Sequence, residues 1–318
     1  MRRTTRLLSV VVVCAALVVL IGCRGEDCTA PSGSAFETLT AYLAANDMDI
    51  PDMLNGWIIA AADVVDNTDD YYILDIRSAD DYDSGHIDGA VHSSLGNILT
   101  DAANSGGKTI LVACYTGQSA AHAVIALRLS GYTDAKVLKF GMSSWNVAFD
   151  RWTANCANIG DGHANWSTDA TATLADFADP DLSASASTGA GILAERVDAM
   201  LAAGFKGIDA SVVLAAPGSY FINNYWAESD VNTYGHIAGA YRIKEDLTLA
   251  AGGLGHLDPT ETIVTYCWTG QTSSMITAYL TVLGYDAKSL KFGTNAMIYD
   301  DLQTSRWSAS ADYAYVTE

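Results

Sequence analysis

Two stretches of this chain repeat one another in the same order, and that constrains the fold more than any local pattern. Cys114-Tyr115-Thr116-Gly117-Gln118-Ser119 recurs as Cys267-Trp268-Thr269-Gly270-Gln271-Thr272, an offset of 153 residues. The same offset carries Gly131-Tyr132 onto Gly284-Tyr285. After a one-residue deletion, Ala135-Lys136-Val137-Leu138-Lys139-Phe140-Gly141 maps onto Ala287-Lys288-Ser289-Leu290-Lys291-Phe292-Gly293. Upstream, Gly85-His86-Ile87-Asp88-Gly89-Ala90 has its partner in Gly235-His236-Ile237-Ala238-Gly239-Ala240. Four blocks in one order require two copies of one domain, and 318 residues accommodate them at roughly 100–200 residues per domain.

Each copy reads as alternating strands and helices. In the first, residues 71–76 form a short apolar strand and 109–114 a second, apolar throughout as in a parallel strand buried on both faces. Residues 119–130 have helical length and composition and stop at Gly131 in a C-cap position. A third strand over 136–140 and a helix over 142–149 follow. The pattern predicts an α/β fold in each copy, a central parallel sheet with helices on both faces. Residues 155–188, rich in Ala, Ser, Thr, Asp and Asn without a sustained period, read as a linker. The expected organisation is therefore domain 1 over 35–154, the linker over 155–188 and domain 2 over 189–318.

Each copy places a Cys at the end of an apolar strand, then a short loop with Gly in its fourth position, then a helix. Such a switch turns main-chain N–H groups and the positive end of a helix toward the sulfur, and both favour thiolate, the nucleophilic form. The glycine permits the tight curl. Thr116, Gln118 and Ser119 are polar side chains that can donate further hydrogen bonds. With Asp75-Ile76-Arg77, Asp81-Tyr82, Gly85 to Ala90 and the Phe140-Gly141 turn leading to Trp145, the ordered set resembles the rhodanese (sulfurtransferase) family in its tandem-domain form.

The resemblance implies that Cys114 and Cys267 are the catalytic nucleophiles. They would take sulfane sulfur from a donor such as thiosulfate as a persulfide and pass it to a thiol or cyanide, with no cofactor. Tyr115, Thr116, Gly117, Gln118 and Ser119 would form the first persulfide loop, and Trp268, Thr269, Gly270, Gln271 and Thr272 the second. Asp75 and Arg77 would be architectural, tying the strand end to nearby turns, and copy two lacks both. Trp226 and Trp268 would give copy two a more hydrophobic mouth. The alternative is a sulfur or selenium oxyanion-binding or persulfide-carrying protein of an envelope redox system.

Counting separates a rival chemistry. Phosphatases built on a Cys loop need an Arg six positions after the Cys to clamp phosphate. Those positions hold Ala120 and Ser273. Neither loop contains Lys or Arg, so a donor anion must rely on main-chain N–H groups or on a residue from outside the loop. The chain carries 17 Lys+Arg against 37 Asp+Glu, which argues against nucleic acid as a partner. The expected partners are small sulfur-containing anions and acceptor thiols. His86 and His236 read as hydrogen-bonded turn residues giving structural support, since neither has a spaced second ligand, and no metal site is expected. Trp145, Trp152 and Trp307 read as packing aromatics.

At the N-terminus, Arg2, Arg3 and Arg6 precede an apolar run over 7–22 that is short for a bilayer span. Leu20-Ile21-Gly22-Cys23 resembles the lipobox of bacterial lipoproteins, which implies a signal peptide over 1–22 and lipidation of Cys23. Membrane contact would then run through that lipid alone, with an acidic body exported to the cell envelope, at the outer membrane or the periplasmic face of a Gram-negative cell. Cys28 and Cys156 flank the first copy and are expected either to pair as a disulfide in an oxidising compartment or to remain two thiols.

Overall fold

The computed structural model describes residues 33–318. The expected signal segment, Cys23 and Cys28 lie outside them. Copy one opens on α1 (Ala35–Ala45), started by a capping box in which Ser34 Oγ accepts from Glu37 N and the Glu37 carboxylate accepts from Ser34 N. After α2 (Ile50–Met53) come β1 (Ile58–Ile59), β2 (Tyr71–Asp75), α3 (Ala79–Asp83), β3 (Val91–His92), α4 (Ile98–Ala102), β4 (Thr109–Ala113), α5 (Gln118–Leu129), β5 (Lys136–Leu138) and α6 (Met142–Trp145). The five strands form a parallel sheet in the order β1-β5-β4-β2-β3.

The antiparallel pair β6 (Trp166–Ser167) and β9 (His236–Ile237) links the intervening segment to copy two. Copy two repeats the plan with α7 (Gly189–Ala203), β7 (Gly207–Ile208), α8 (Ala210–Ala215), β8 (Phe221–Asn224), α9 (Glu228–Tyr234), β10 (Ile263–Tyr266), α10 (Gln271–Val282) and β11 (Ala287–Leu290). Its parallel sheet runs β7-β11-β10-β8, and a single Asn223–Tyr241 bridge stands where copy one has β3.

Along β4, Ile110 and Val112 enter a core shared by both copies, while Leu111 and Ala113 enter a core private to copy one. Burial on both faces explains why the strand is apolar throughout. The shared core lies between the two sheets and is filled by α1, α5, α7 and α10. There α5 packs against α10 and α1 against α7, so each helix meets its own counterpart, the signature of a two-fold arrangement.

The segment expected as a linker is not a free tether. Its Ala157 and Gly160 amides donate to Asn295 O and Met297 O of copy two, and β6 then pairs with the Gly-His-Ile block. Phe177 meets Phe221, and Leu182 is buried in the shared core. The C-terminal residues make the reciprocal move onto copy one. Ala311 and Tyr313 donate to Ser144 O and Trp145 O, and Val316 pairs with His86 in both directions. Each copy is thus strapped by the chain that follows the other.

The strap also explains a difference from the expected helix over 142–149. Asn146 leaves helical geometry at φ −148° and ψ 145°, where its side chain accepts from Ala148 N and donates to Asp312 and Tyr313 of the C-terminal strap. The helix therefore ends at Trp145 and a 3-10 turn over Val147–Phe149 follows. The strand expected over 136–140 stops at Leu138, because Phe140 turns into the left-handed region at φ 62°.

Candidate active site

Both cysteines follow an inner strand of their sheet and are buried, at 3% exposure for Cys114, which enters the shared core, and 2% for Cys267. Gly117 and Gly270, at φ 80° and 75°, curl each loop into its helix. The curl brings main-chain donors to the sulfur. Cys114 Sγ accepts from Gly117 N at 3.1 Å and Ala120 N at 3.4 Å. Cys267 Sγ accepts from Ser273 N at 3.3 Å. The Phe-Gly turn locks the strand end from behind: Met142 N and Thr294 N donate to the carbonyls of Cys114 and Cys267. A Cβ on Gly141 or Gly293 would overlap those same carbonyls, so the turn requires glycine.

The two loops also hold each other. Gln118 Oε1 accepts from Phe292 N and Gln271 Oε1 accepts from Phe140 N, both at 2.8 Å. The amide nitrogens reach back to Thr116 and Thr269. Around this crossing, Phe140 and Phe292 each meet Trp152 edge-on at 5.0 Å, and Trp152 stacks on Trp307 at 5.9 Å. Thr116, Gln118, Thr269 and Gln271, read from the sequence as persulfide-loop residues, are therefore engaged in the joint between the copies. Ser119 and Thr272 are the second residues of α5 and α10.

Behind Cys114 the strand end is ionic. The Asp75 carboxylate receives Arg77 N and Nε at 3.0 Å and Nη2 at 2.6 Å, and Nη2 also reaches Gly85 O. The Arg77 guanidinium lies 5.1 Å from the Tyr115 ring centre, with Arg151 at 4.8 Å. Burial raises the Tyr115 phenol, and its hydrogen bond to Asp81 at 2.6 Å adds to the shift. Asp81 is held low by its Ser78 hydrogen bond and then by Tyr115. His86 stacks on Tyr82 at 3.8 Å with Nδ1 beside Tyr82 O.

Behind Cys267 the register places Asn224 at the Asp75 position and Trp226 at the Arg77 position. Trp226 packs on Trp268 at 4.2 Å, with Tyr234 and Tyr266 alongside. Both polar atoms of the Asn224 side chain, and Trp226 Nε1, are buried without a hydrogen-bond partner. Burial pushes the Tyr266 phenol up, while its oxygen accepts from Ile237 N. His236 sits with Nδ1 beside Ile237 O and Nε2 beside Asp169 O.

One feature of copy two escaped the sequence reading. The Cys267 thiol reaches Ser273 Oγ at 3.7 Å, and Ser273 continues to Ser289 Oγ at 2.8 Å, with Ser274 bonded to both Ser289 and Gly270 O. The counterparts in copy one are Ala120, Ala121 and Val137. The aligned repeat carried this signal as three apolar-to-Ser exchanges.

Cys114, Cys156 and Cys267 have no disulfide partner among the described residues. Burial, then Asp150, raises the Cys156 thiol to about 11, which makes it a poor nucleophile.

The sequence profile of the rhodanese-like domain matches residues 60–148 and again 217–300, together more than half of the chain. The chain belongs to the rhodanese-like domain family. The two matched rhodanese-like stretches contain both cysteine loops and both strand-end corners. Among solved structures, a rhodanese-related protein from Thermoplasma volcanium is 26% identical, covering 28% of this chain and 89% of its own, with a TM-score of 0.26. A thiosulfate sulfurtransferase from Pseudomonas aeruginosa is 14% identical, covering 86% of this chain and 48% of its own, with a TM-score of 0.30. A 3-mercaptopyruvate sulfotransferase from Escherichia coli is 15% identical over 80% of this chain and 100% of its own, at 0.28.

Proposed function

We propose that this protein is a sulfurtransferase that carries sulfane sulfur as a persulfide on Cys114 and Cys267. The observation that carries this reading is the pair of sulfurs held at the start of α5 and α10 by main-chain N–H groups. In the first step the Cys thiolate attacks the terminal sulfur of a donor such as thiosulfate. The new S–S bond forms at Sγ, the old one breaks, and its electron pair leaves with sulfite. In the second step an acceptor thiolate or cyanide attacks the outer sulfur, and the pair returns to Sγ. The negative outer sulfur is the charge that preorganised amides can stabilise. In copy two the Ser273 hydroxyl adds a donor that can follow that charge.

Two further parts of the reading concern the envelope. Cleavage before Cys23 and its lipidation would hold the acidic body at the membrane by its lipid alone. Among the described residues no helix is long and apolar enough to cross a membrane. A shift in mass and loss of detergent partitioning in Cys23→Ser tests the anchor. The second functional reading, a persulfide carrier without turnover, is favoured by the near-complete burial of both sulfurs and by the cation-free loops.

A steady-state assay with thiosulfate and cyanide on the wild type, Cys114→Ser, Cys267→Ser and the double variant separates them. Turnover that disappears in the double variant supports the enzyme. Addition of one sulfur atom without turnover supports the carrier, and neither event with any sulfane donor sinks both.

A further inference from the structure

Lys139 and Lys291 occupy equivalent positions beside the two Phe-Gly turns, yet their surroundings differ. Lys291 Nζ is paired with Asp209 at 2.7 Å. The strand register puts Ala60 at the place of Asp209 in copy one. Lys139 accordingly makes no ion pair among the described residues, and its ammonium lies 5.3 Å from the Phe140 ring centre. A cavity of about 220 Å³ opens beside it, lined by Lys139, Trp57 and Ile58 of copy one and by Trp268, Thr269, Gln271 and Thr272 of the second loop. The hydrogen bond from Phe140 N to Gln271 Oε1 fixes the Lys139 strand end against that loop.

We propose that Lys139, supplied by copy one, is the anion-reading residue for the Cys267 site, and that the cavity accepts an organic sulfur anion. The proposal deepens the sulfurtransferase reading and rests on it. The second loop has no cation of its own, so an unneutralised ammonium in the cavity that Trp268, Thr269, Gln271 and Thr272 line supplies what an anionic donor needs. The indoles of Trp57 and Trp268 give the cavity apolar surface for the body of a donor larger than thiosulfate. For an organic thiosulfonate, the Cys267 thiolate takes the terminal sulfur. The S–S bond to the sulfonyl group breaks, and its electron pair leaves as sulfinate. Lys139 would hold the sulfonyl oxygens before and during that departure.

The test uses the full chain in a Cys114→Ser background, which isolates the second site. Binding of benzenesulfonate is measured by calorimetry, and transfer from benzenethiosulfonate to cyanide by initial rates. Lys139→Met is expected to weaken binding about tenfold and to raise KM by a similar factor, with Lys139→Arg retaining both. Ala60→Asp, which recreates beside Lys139 the carboxylate that ties Lys291, is expected to mimic the loss, and Lys291→Met to change neither quantity. Affinity unchanged in Lys139→Met and Ala60→Asp overturns the subsite, whatever the rates. Lysine-dependent binding with no sulfur transfer would keep the subsite and count against the catalytic reading of Cys267.

Discussion

The corner behind Cys114 is closed by charge and the corner behind Cys267 by aromatic rings. In the first, Asp75 and Arg77 form a buried ion pair that also ties down Gly85. In the second, Asn224 and Trp226 stand in those places; the Asn224 amide is wholly unpartnered, whereas the first corner leaves Arg77 Nη1 alone without a partner. The loops in front nevertheless agree: Gly117 and Gly270 differ by 5° in φ, and Phe140 and Phe292 share φ 62°. The geometry around the sulfur is therefore set by the glycine curl, the Phe-Gly turn and the crossed glutamines. The corner sets stability and the character of the mouth.

Breaking the ionic corner should have the largest effect. Arg77→Met leaves the Asp75 carboxylate buried without its cation and should cost about 3–5 kcal/mol in urea unfolding. Adding Asp75→Asn, the residue copy two uses at this position, should recover much of that loss because the uncompensated charge is gone. A double variant no more stable than the single one would break the comparison.

His122, on α5, comes next. Burial pushes it down to about 4, with Lys206 acting in the same direction and a main-chain bond at Met200 opposing. The folded state holds it neutral, so stability is complete above the unfolded value near 6.5 and is lost as pH falls toward 4. The loss amounts to about 3 kcal/mol. Copy two carries Met275 at this position. His122→Met should flatten the profile of unfolding midpoints between those two pH values.

The joint between the copies can be cut on one side. Gln118→Ala strands the Phe292 amide and should cost about 1–3 kcal/mol. It should also slow sulfur loading at both cysteines, since each loop is held by the other copy, and mass analysis of each cysteine peptide over time reads this. The smallest effect is expected from Ser289→Val, which puts the residue of copy one behind Cys267. Ser289 Oγ bonds Ser273, Ser274 and Gly270 O; Ser274 and Gly270 O keep each other, so the bond lost without replacement is the one to Ser273, worth about 1 kcal/mol. Loading of Cys267 should slow several-fold toward the rate of Cys114, with Cys114 unchanged.

The repeat, the two parallel sheets and the position of each cysteine at a strand-to-helix switch were legible because each is written in consecutive side chains: the Cys loops, the apolar run of β4, the Lys-Phe-Gly turns. The straps were not legible, because main-chain groups of Ala157, Gly160, Ala311 and Tyr313 make them and such groups leave no mark on residue type. One sign was available. Arg151-Trp152 recurs as Arg306-Trp307, but at an offset of 155 that a search at constant spacing passes over. The aromatic corner was foreseen as a hydrophobic mouth, whereas the Asn224 and Trp226 register needed the pairing of β8 with β10. The lysine asymmetry depends on Ala60 standing where copy two has Asp209, each just after a short edge strand whose sequence shares no motif with the other.

The two-fold contact between α5 and α10 has a consequence for how such a molecule can vary. In a symmetric dimer of identical chains, a residue changed in one site is changed in the other at once. When both halves belong to one polypeptide that coupling disappears. An aspartate can neutralise Lys291 while an alanine leaves Lys139 free to serve the opposite half. Specialisation of the two sites then proceeds one codon at a time, on a scaffold whose crossed glutamines still enforce the common shape.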